Sequence, residues 1–103
     1  MGDYRRIEIR QTSIFTKWIK GLADRRAKLA IAKRIERLAY GHIGDAKPIG
    51  EGITELRLHI GPGYPVYFTR IGDAIIVLLC GGVRGSQARD IVRAKALMKE
   101  LQE

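Results

Sequence analysis

The sequence predicts an α+β fold in which a helical hairpin packs on a small twisted antiparallel sheet, with a further helix at the carboxyl end. Two observations predict this class. Apolar residues recur every three or four positions in the first part of the chain and again at its end, as on amphipathic helices. Between these regions they alternate with polar residues or run together, as in strands. The expected element order is β-α-α-β-β-β-β-α.

The amino-terminal half is predicted to contain one strand and two helices. The segment Ile7–Arg10 alternates apolar and polar residues, and Thr12 or Ser13 can cap the helix that follows. A second helix is expected from about Asp24 to Tyr40, ended by Gly41. Two helices joined by a short turn form an antiparallel hairpin, which we expect to cover one face of the sheet.

The remaining strands are expected at Ala46–Ile49, Thr54–Ile60, Tyr64–Arg70 and Ala74–Cys80, and the final helix runs from about Ser86 to Leu101. Alternation in the second of these strands predicts two sets of side chains. Leu56, Leu58 and Ile60 would point inward, and Glu55, Arg57 and His59 outward. The continuous apolar run before Gly81 predicts a central strand that is covered on both faces.

Length and composition limit the function classes. A chain of 103 residues is expected to form one domain, residues 1–103, in which residues 1–6 are a flexible or non-native extension. Its formal net charge of +8 favours a polyanionic or acidic partner. No apolar run is long enough for a signal or a membrane span, so a cytoplasmic protein without a membrane partner is expected. With two histidines and the lone Cys80, neither a metal site nor a cofactor is expected.

A group of cationic and aromatic residues on the predicted sheet could cleave RNA. Such a site needs a base for the 2′-hydroxyl, a cation for the phosphorane and an acid for the leaving 5′-oxygen. Arg57 and Arg84 suit the cationic role, because guanidinium binds phosphate in a bidentate way. His59 or Tyr67 could transfer protons. The alternative interpretation is that all four are ordinary surface residues.

Short segments in a fixed order also resemble a known group of proteins. They are Gly44–Gly50, Glu55–Arg57, Gly61–Tyr64, Val66–Phe68, Leu78–Gly82 and Ala94–Leu97. Together they resemble the "addiction module killer protein" branch of the RelE/ParE superfamily, close to HigB-type toxins of type II toxin–antitoxin systems. The likeness extends from about Ile7 to Leu101. It implies a RelE/ParE-like fold that agrees with the pattern described above.

The resemblance also implies an activity and partners. These are metal-independent cleavage of mRNA on the translating ribosome, a helix-turn-helix antitoxin, and contact with operator DNA only through that antitoxin. Arg57 and Arg84 match basic residues of the family cleft. A third basic residue is expected after Tyr64, but this chain has Pro65, which removes a guanidinium and a backbone N–H together. The resemblance therefore implies a weakened or inactive toxin, unless another cation such as Arg70 compensates.

Other assignments stay open at the level of sequence. The final helix lacks the tyrosine that some relatives use for proton transfer, and Asp90 lies near that position. RNA-binding candidates are Arg25, Arg26, Lys28, Lys47 and Arg70, with a solvated helix face as the alternative for those on the second helix. Two other functions remain: a ParE-like inhibitor of DNA gyrase, and a non-catalytic decayed toxin that binds its antitoxin and regulates the operon.

Overall fold

The structure is a computed structural model that describes residues 6–102; of the predicted extension, only Arg6 lies within this range. The elements are β1 (Glu8–Gln11), α1 (Ser13–Gly21), α2 (Arg25–Ala39), β2 (Ala46–Gly50), β3 (Ile53–Leu56), β4 (Val66–Ile71), β5 (Ile75–Gly81), a 3-10 turn (Arg84–Ser86) and α3 (Gln87–Gln102). This order confirms the predicted α+β fold class.

The five strands form one sheet in the order β1-β5-β4-β3-β2. Strands β2 to β5 form an antiparallel meander, whereas β1 joins the sheet parallel to β5. The last strand is therefore central, as its apolar run predicts, and most of its side chains are buried. Because β1 pairs parallel to β5, the sheet is mixed and not purely antiparallel as predicted. The helical hairpin allows this pairing, since it carries the chain across one face between β1 and the meander.

Side-chain caps define where both hairpin helices begin. The Thr12 hydroxyl accepts a hydrogen bond from the Phe15 amide at 3.1 Å, and the Asp24 carboxylate accepts one from the Ala27 amide at 3.1 Å. Each cap of this kind stabilises its helix by about 1 kcal/mol. The Thr12 hydroxyl also donates to the Leu79 carbonyl at 2.6 Å. The start of α1 is therefore fastened directly to β5.

Two apolar clusters cover the two faces of the sheet. The first contains the inner residues of α1 and α2 with Leu56, Tyr64, Val66, Phe68 and Leu78. The second lies under α3 and contains Ile53, Tyr67, Val77, Leu79, Cys80 and Ala94. The hairpin thus covers one face, as predicted, and α3 covers the other. The resulting order of layers is hairpin, sheet and single helix.

A bulge in β5 brings two consecutive side chains to the α3 face. Tyr67 pairs with Cys80 and Phe68 with Leu78, so Leu79 has no direct partner on β4. Leu79 and Cys80 therefore both pack under α3. Burial raises the pKa of the Cys80 thiol to about 11, which keeps the thiol protonated in the core at neutral pH.

The strand predicted at Thr54–Ile60 is shorter than expected, because β3 ends at Leu56. Beyond that residue the Arg57 amide donates to Asp45, while the Arg57 carbonyl accepts from a side chain of α2, Arg34, at 2.7 Å. These bonds continue the contact with the β2 side, and on the β4 side the Leu58 carbonyl still accepts from the Tyr64 amide at 3.0 Å. Glu55 lies on the face of the strand that the sequence predicts to point outward. Because α3 covers that face, Glu55 is buried and not exposed as predicted.

Within residues 6–102, no helix combines the length and the apolar composition that crossing a bilayer requires.

The end of β5 generates a stability prediction. A Cβ added at Gly81 would stand 2.4 Å from the Trp18 ring, whereas one added at Gly85 would meet nothing within 4 Å. Because Trp18 packs against the core, we expect Gly81→Ala to lower the free energy of unfolding by about 1–3 kcal/mol. Gly85→Ala is the matched control. Equal urea midpoints for both variants would contradict this account of Gly81.

Candidate functional site

A cavity of about 140 Å³ opens where β3 ends, β4 begins and β5 leaves the sheet. Three chain segments form its wall: residues 57–59, residues 63–65 and the start of α3 with the turn before it. The lining residues are Arg57, Leu58, His59, Gly63, Tyr64, Pro65, Arg84 and Gln87. The structure therefore brings three of the four predicted catalytic residues together: Arg57, His59 and Arg84.

Arg57 is held in this wall by a carboxylate behind it. Its Nε donates to Oε1 of Glu55 at 2.9 Å. The Arg57 side chain is 38% exposed and the Glu55 side chain only 3%, so the guanidinium reaches solvent while its partner does not. The hydrogen bond with Glu55 raises the pKa of Arg57. Arg57 thus presents a permanent positive charge with terminal N–H groups that Glu55 does not occupy.

A second arginine supports the backbone under the site. Nη1 of Arg34 donates to the Arg57 carbonyl, and Nη2 donates to the carbonyls of Ile43 and Asp45 at 3.2 Å each. Partial burial lowers the pKa of Arg34, and nearby Asp45 opposes that effect. A Cβ at Gly44, where φ is +69°, would stand 3.1 Å from the Arg34 guanidinium. The loop before β2 and the end of β3 are therefore joined through α2.

His59 forms a pair with an acidic residue of the neighbouring loop. Its Nε2 lies 2.6 Å from Oδ2 of Asp45, and both side chains are more than half exposed. An ionised carboxylate can only accept a hydrogen bond, so Nε2 must carry the proton. In the neutral imidazole this leaves Nδ1 as the basic nitrogen. The pair has the form that general acid–base catalysis requires, although exposed pairs of this kind contribute little to stability.

Arg84 enters the cavity from the turn that follows β5. Its backbone amide donates to the Gly63 carbonyl at 3.0 Å. Gly63 has a φ of +86°, and a Cβ there would come within 3.4 Å of the Arg84 side chain. Gly63 therefore supplies a left-handed backbone position, and its carbonyl holds the turn that carries Arg84.

Tyr64 links the cavity to the hairpin. Its ring centre lies 6.4 Å from that of Trp18, and its hydroxyl donates to Oδ2 of Asp24 at 3.4 Å. Burial, and secondarily Asp24, raises the pKa of Tyr64. The first turn of α2, with Arg25 and Arg26, is consequently close to the cavity wall.

Tyr67 does not reach the cavity, so its predicted role at the pocket surface needs correction. It lies on the opposite face from Tyr64, as alternation predicts, but α3 covers that face and the side chain is fully buried. Burial, and secondarily the carboxylates of Glu55 and Asp90, raises its pKa well above the usual range. Its hydroxyl has no hydrogen-bond partner within the described part of the chain. Tyr67 is therefore a neutral core residue.

Pro65 lies in the cavity wall between the segments that carry the two arginines. Its carbonyl accepts a hydrogen bond from the Gly82 amide at 3.2 Å. In an antiparallel pair of this type the two residues exchange both bonds, and Pro65 has no N–H for the return bond. The position named from the resemblance thus faces the candidate site, and its proline removes one ladder bond.

The predicted RNA-binding residues are not brought to one place. Arg25 and Arg26 are exposed at the start of α2, and the Lys28 amine donates to the Lys20 carbonyl at 3.0 Å. Lys47 is exposed on the edge strand β2, where a lysine also discourages strand pairing. Arg70 lies about 16 Å along β4 from Pro65, at a rise of roughly 3.3 Å per residue. Arg70 therefore does not compensate for Pro65.

The sequence does not predict the contact behind Arg57, where Glu55 and Gln87 meet at 3.0 Å. Asp90, which the sequence places near a proton-transfer position of the family, is buried beside Gly82, accepts from the Ser86 hydroxyl at 2.5 Å and does not line the cavity. The spacing of Glu55 and Arg57 places both on one side of a strand, which is the signal that would have paired them. Gln87 gives no comparable signal, because its partner is 32 residues away.

In the described residues, 6–102, no three His, Cys, Asp or Glu side chains stand together as metal ligands.

Comparisons with known proteins give a sequence relative and likenesses to solved structures. The chain is 43% identical over 95 residues to an uncharacterized protein of Haemophilus influenzae, covering 92% of this chain and 96% of that protein. The chain therefore belongs to the same family as that protein. No family model matches the sequence.

The fold resembles a chain in the crystal structure of the toxin–antitoxin complex RelBE2 from Mycobacterium tuberculosis. The TM-score is 0.61 at 18% identity, and the match covers 77% of this chain and 99% of the other. The fold is therefore RelE-like. At this identity the likeness concerns the fold alone.

The Arg34 contacts generate a second prediction. Arg34→Ala removes a donor from three carbonyl groups around the site, of which that of Asp45 keeps the Arg57 amide, so we expect it to lower the free energy of unfolding by about 1–3 kcal/mol. Arg37→Ala, an exposed arginine on the same helix, should change it by less than about 0.5 kcal/mol. Urea unfolding checks both variants. If the two lose stability equally, Arg34 does not hold the loop.

Proposed function

We propose that this protein is the toxin of a type II toxin–antitoxin pair, of the HigB-like kind, and that it cleaves mRNA on the ribosome. The observation that carries the proposal is the convergence of Arg57, Arg84 and the His59–Asp45 pair on one small open cavity. The two guanidinium groups can supply the cation, and the imidazole the base, that cleavage of a phosphodiester requires. The RelE-like fold agrees with the proposal.

In the proposed reaction, Nδ1 of His59 removes the proton from a ribose 2′-hydroxyl. The 2′-oxygen then attacks the adjacent phosphorus, and the bond from phosphorus to the 5′-oxygen breaks. Arg57 and Arg84 bind the non-bridging oxygens, where negative charge grows in the transition state. The leaving oxygen takes its proton from solvent, because Tyr67 is buried and Asp90 does not line the cavity. The products are a 2′,3′-cyclic phosphate and a 5′-hydroxyl.

Charges outside the cavity fit a large polyanion such as the ribosome. Arg25 and Arg26 occupy the first turn of α2, where the helix dipole disfavours cations, and that turn contains no acidic residue. Positions that break a local rule of stability are often functional. In the proposal Arg25 and Arg26 contact RNA beside the cavity, and Lys28 and Lys47 contact it at separate points.

The proposed partner is a helix-turn-helix antitoxin, through which the toxin would also reach operator DNA. The structural neighbour comes from a toxin–antitoxin complex, and the net charge of +8 suits an acidic partner segment.

Pro65 favours a second candidate, a decayed toxin that retains antitoxin binding without catalysis. The cavity wall holds a proline where the resemblance implies a cation. The absence of one preorganised charge from a phosphoryl-transfer site costs about 10²–10³ in rate. The two candidates therefore differ in whether any cleavage remains.

Removing either arginine from the cavity is expected to reduce cleavage. Arg84→Ala and Arg57→Ala should each lower the rate of ribosome-dependent mRNA cleavage by about 10²–10³, because each removes a charge that stabilises the phosphorane. Primer extension on translated message provides the measurement. Arg84 bonds through its backbone, so Arg84→Ala tests the charge with little risk to the fold.

Arg93→Ala, an exposed arginine on α3, is the control for loss of charge alone. Cleavage that falls equally in Arg93→Ala and Arg84→Ala would contradict the assignment of the cavity.

Restoring a cation at position 65 is expected to raise activity. Pro65→Arg returns both a guanidinium and the N–H that faces Gly82, so it should increase cleavage by about 10²–10³ and arrest growth when expressed without antitoxin. Pro65→Gln is the matched variant, since it returns the N–H without the charge.

Cuts inside codons with Pro65→Arg but not with the original chain support a silenced nuclease. Intact message with induced DNA damage would instead point to gyrase, and neither effect would point to the non-catalytic toxin.

A further inference from the structure

Glu55 is a buried carboxylate that contacts the cavity only through other residues. Its side chain is 3% exposed, and it is absent from the cavity wall. Oε1 accepts from Nε of Arg57 at 2.9 Å, and Oε2 accepts from Nε2 of Gln87 at 3.0 Å. Each carboxylate oxygen therefore has a donor, and each donor belongs to a residue that lines the cavity.

Burying a carboxylate is unfavourable unless partners compensate for the lost water. An apolar side chain at position 55 would pack against Tyr67 and α3 without that cost. A buried charge with this cost is consistent with a role beyond packing. Since the Arg57 side chain is 38% exposed and flexible in itself, the bond from its Nε is what restricts the plane of the guanidinium.

Gln87 extends this arrangement to the helix that covers the sheet. It is the first residue of α3, and it follows the turn that carries Arg84. Through Gln87 and Glu55, the segment that supplies Arg84 is connected to the strand that supplies Arg57. The Glu55 carboxylate thus links the two segments that supply the guanidinium groups.

We propose that Glu55 is a positioning residue that fixes the guanidinium plane of Arg57 toward a bound phosphate, with Gln87 holding the carboxylate in place. The proposal rests on the proposed function in one respect, the role of Arg57 in binding the scissile phosphate. Glu55 does not act as the base in this arrangement, because both its oxygens are engaged and neither faces the cavity.

Three variants separate a positioning role from other roles. Glu55→Gln keeps an oxygen for Arg57 Nε, and Gln87 can rotate its amide to present an oxygen to the new side chain. Glu55→Leu fills the same space without an acceptor. Glu51→Gln removes an exposed carboxylate that pairs with Lys95 at 3.4 Å and serves as the charge control. Urea unfolding identifies which variants remain folded.

The first readout is binding of inorganic phosphate, which is monitored by NMR through the side-chain ¹H–¹⁵N signals of Arg57 and Arg84. We expect Glu55→Leu to weaken phosphate binding about ten- to a hundredfold, the size of the loss when a supporting partner is removed at a metal site, and to broaden the Arg57 Nε signal. Glu55→Gln should stay within about threefold of the original chain, because it keeps the bond. Glu51→Gln should not change binding.

The second readout is mRNA cleavage in the Pro65→Arg background. Glu55→Leu should lower kcat about 10²-fold, since misplacement of a catalytic group by about 1 Å has this effect, and Glu55→Gln should restore most of it. Unchanged phosphate binding in Glu55→Leu overturns the proposal, and so does an equal loss in Glu55→Gln. If no variant cleaves RNA while the phosphate pattern holds, the nuclease function fails and the positioning of Arg57 stands.

Discussion

Burial of β5 on both faces is the constraint on which the rest of the structure depends. A strand covered by the hairpin on one side and by α3 on the other admits polar groups only where each finds a partner. Thr12 therefore bonds to the strand, and Cys80 remains a protonated thiol within it. Where β5 ends, Gly81 and Gly82 leave space for the Trp18 ring and the Asp90 carboxylate, and the cavity begins.

Local signals in the sequence were sufficient for the elements and for part of the site. Thr12 and Asp24 precede apolar stripes and cap helices, because a short polar side chain can satisfy an amide of the first turn. The run from Ala74 predicts a doubly covered strand, which β5 confirms. Arg57, His59 and Arg84 were named from residue type and order, and they share one cavity.

Other features depend on contacts that no local pattern contains. Alternation correctly places Tyr64 and Tyr67 on opposite faces of the sheet. It does not show which face α3 covers, and for this reason the sequence predicts an accessible Tyr67. The same helix buries Glu55. Beyond the end of β3, the Arg57 carbonyl accepts from Arg34, which lies 23 residues earlier in the chain. Periodicity predicts where helices and strands form, but long-range contacts of this kind determine which of their side chains are buried.

The parallel pairing of β1 with β5 has a consequence for how the protein is made. The Thr12 hydroxyl bonds to a carbonyl 67 residues further along the chain, and Arg84 follows that strand. Contacts so distant in sequence form late and slow the folding of a small domain. During synthesis the amino-terminal strand must therefore wait until β5 has been made, and Arg57 and Arg84 come together only after that.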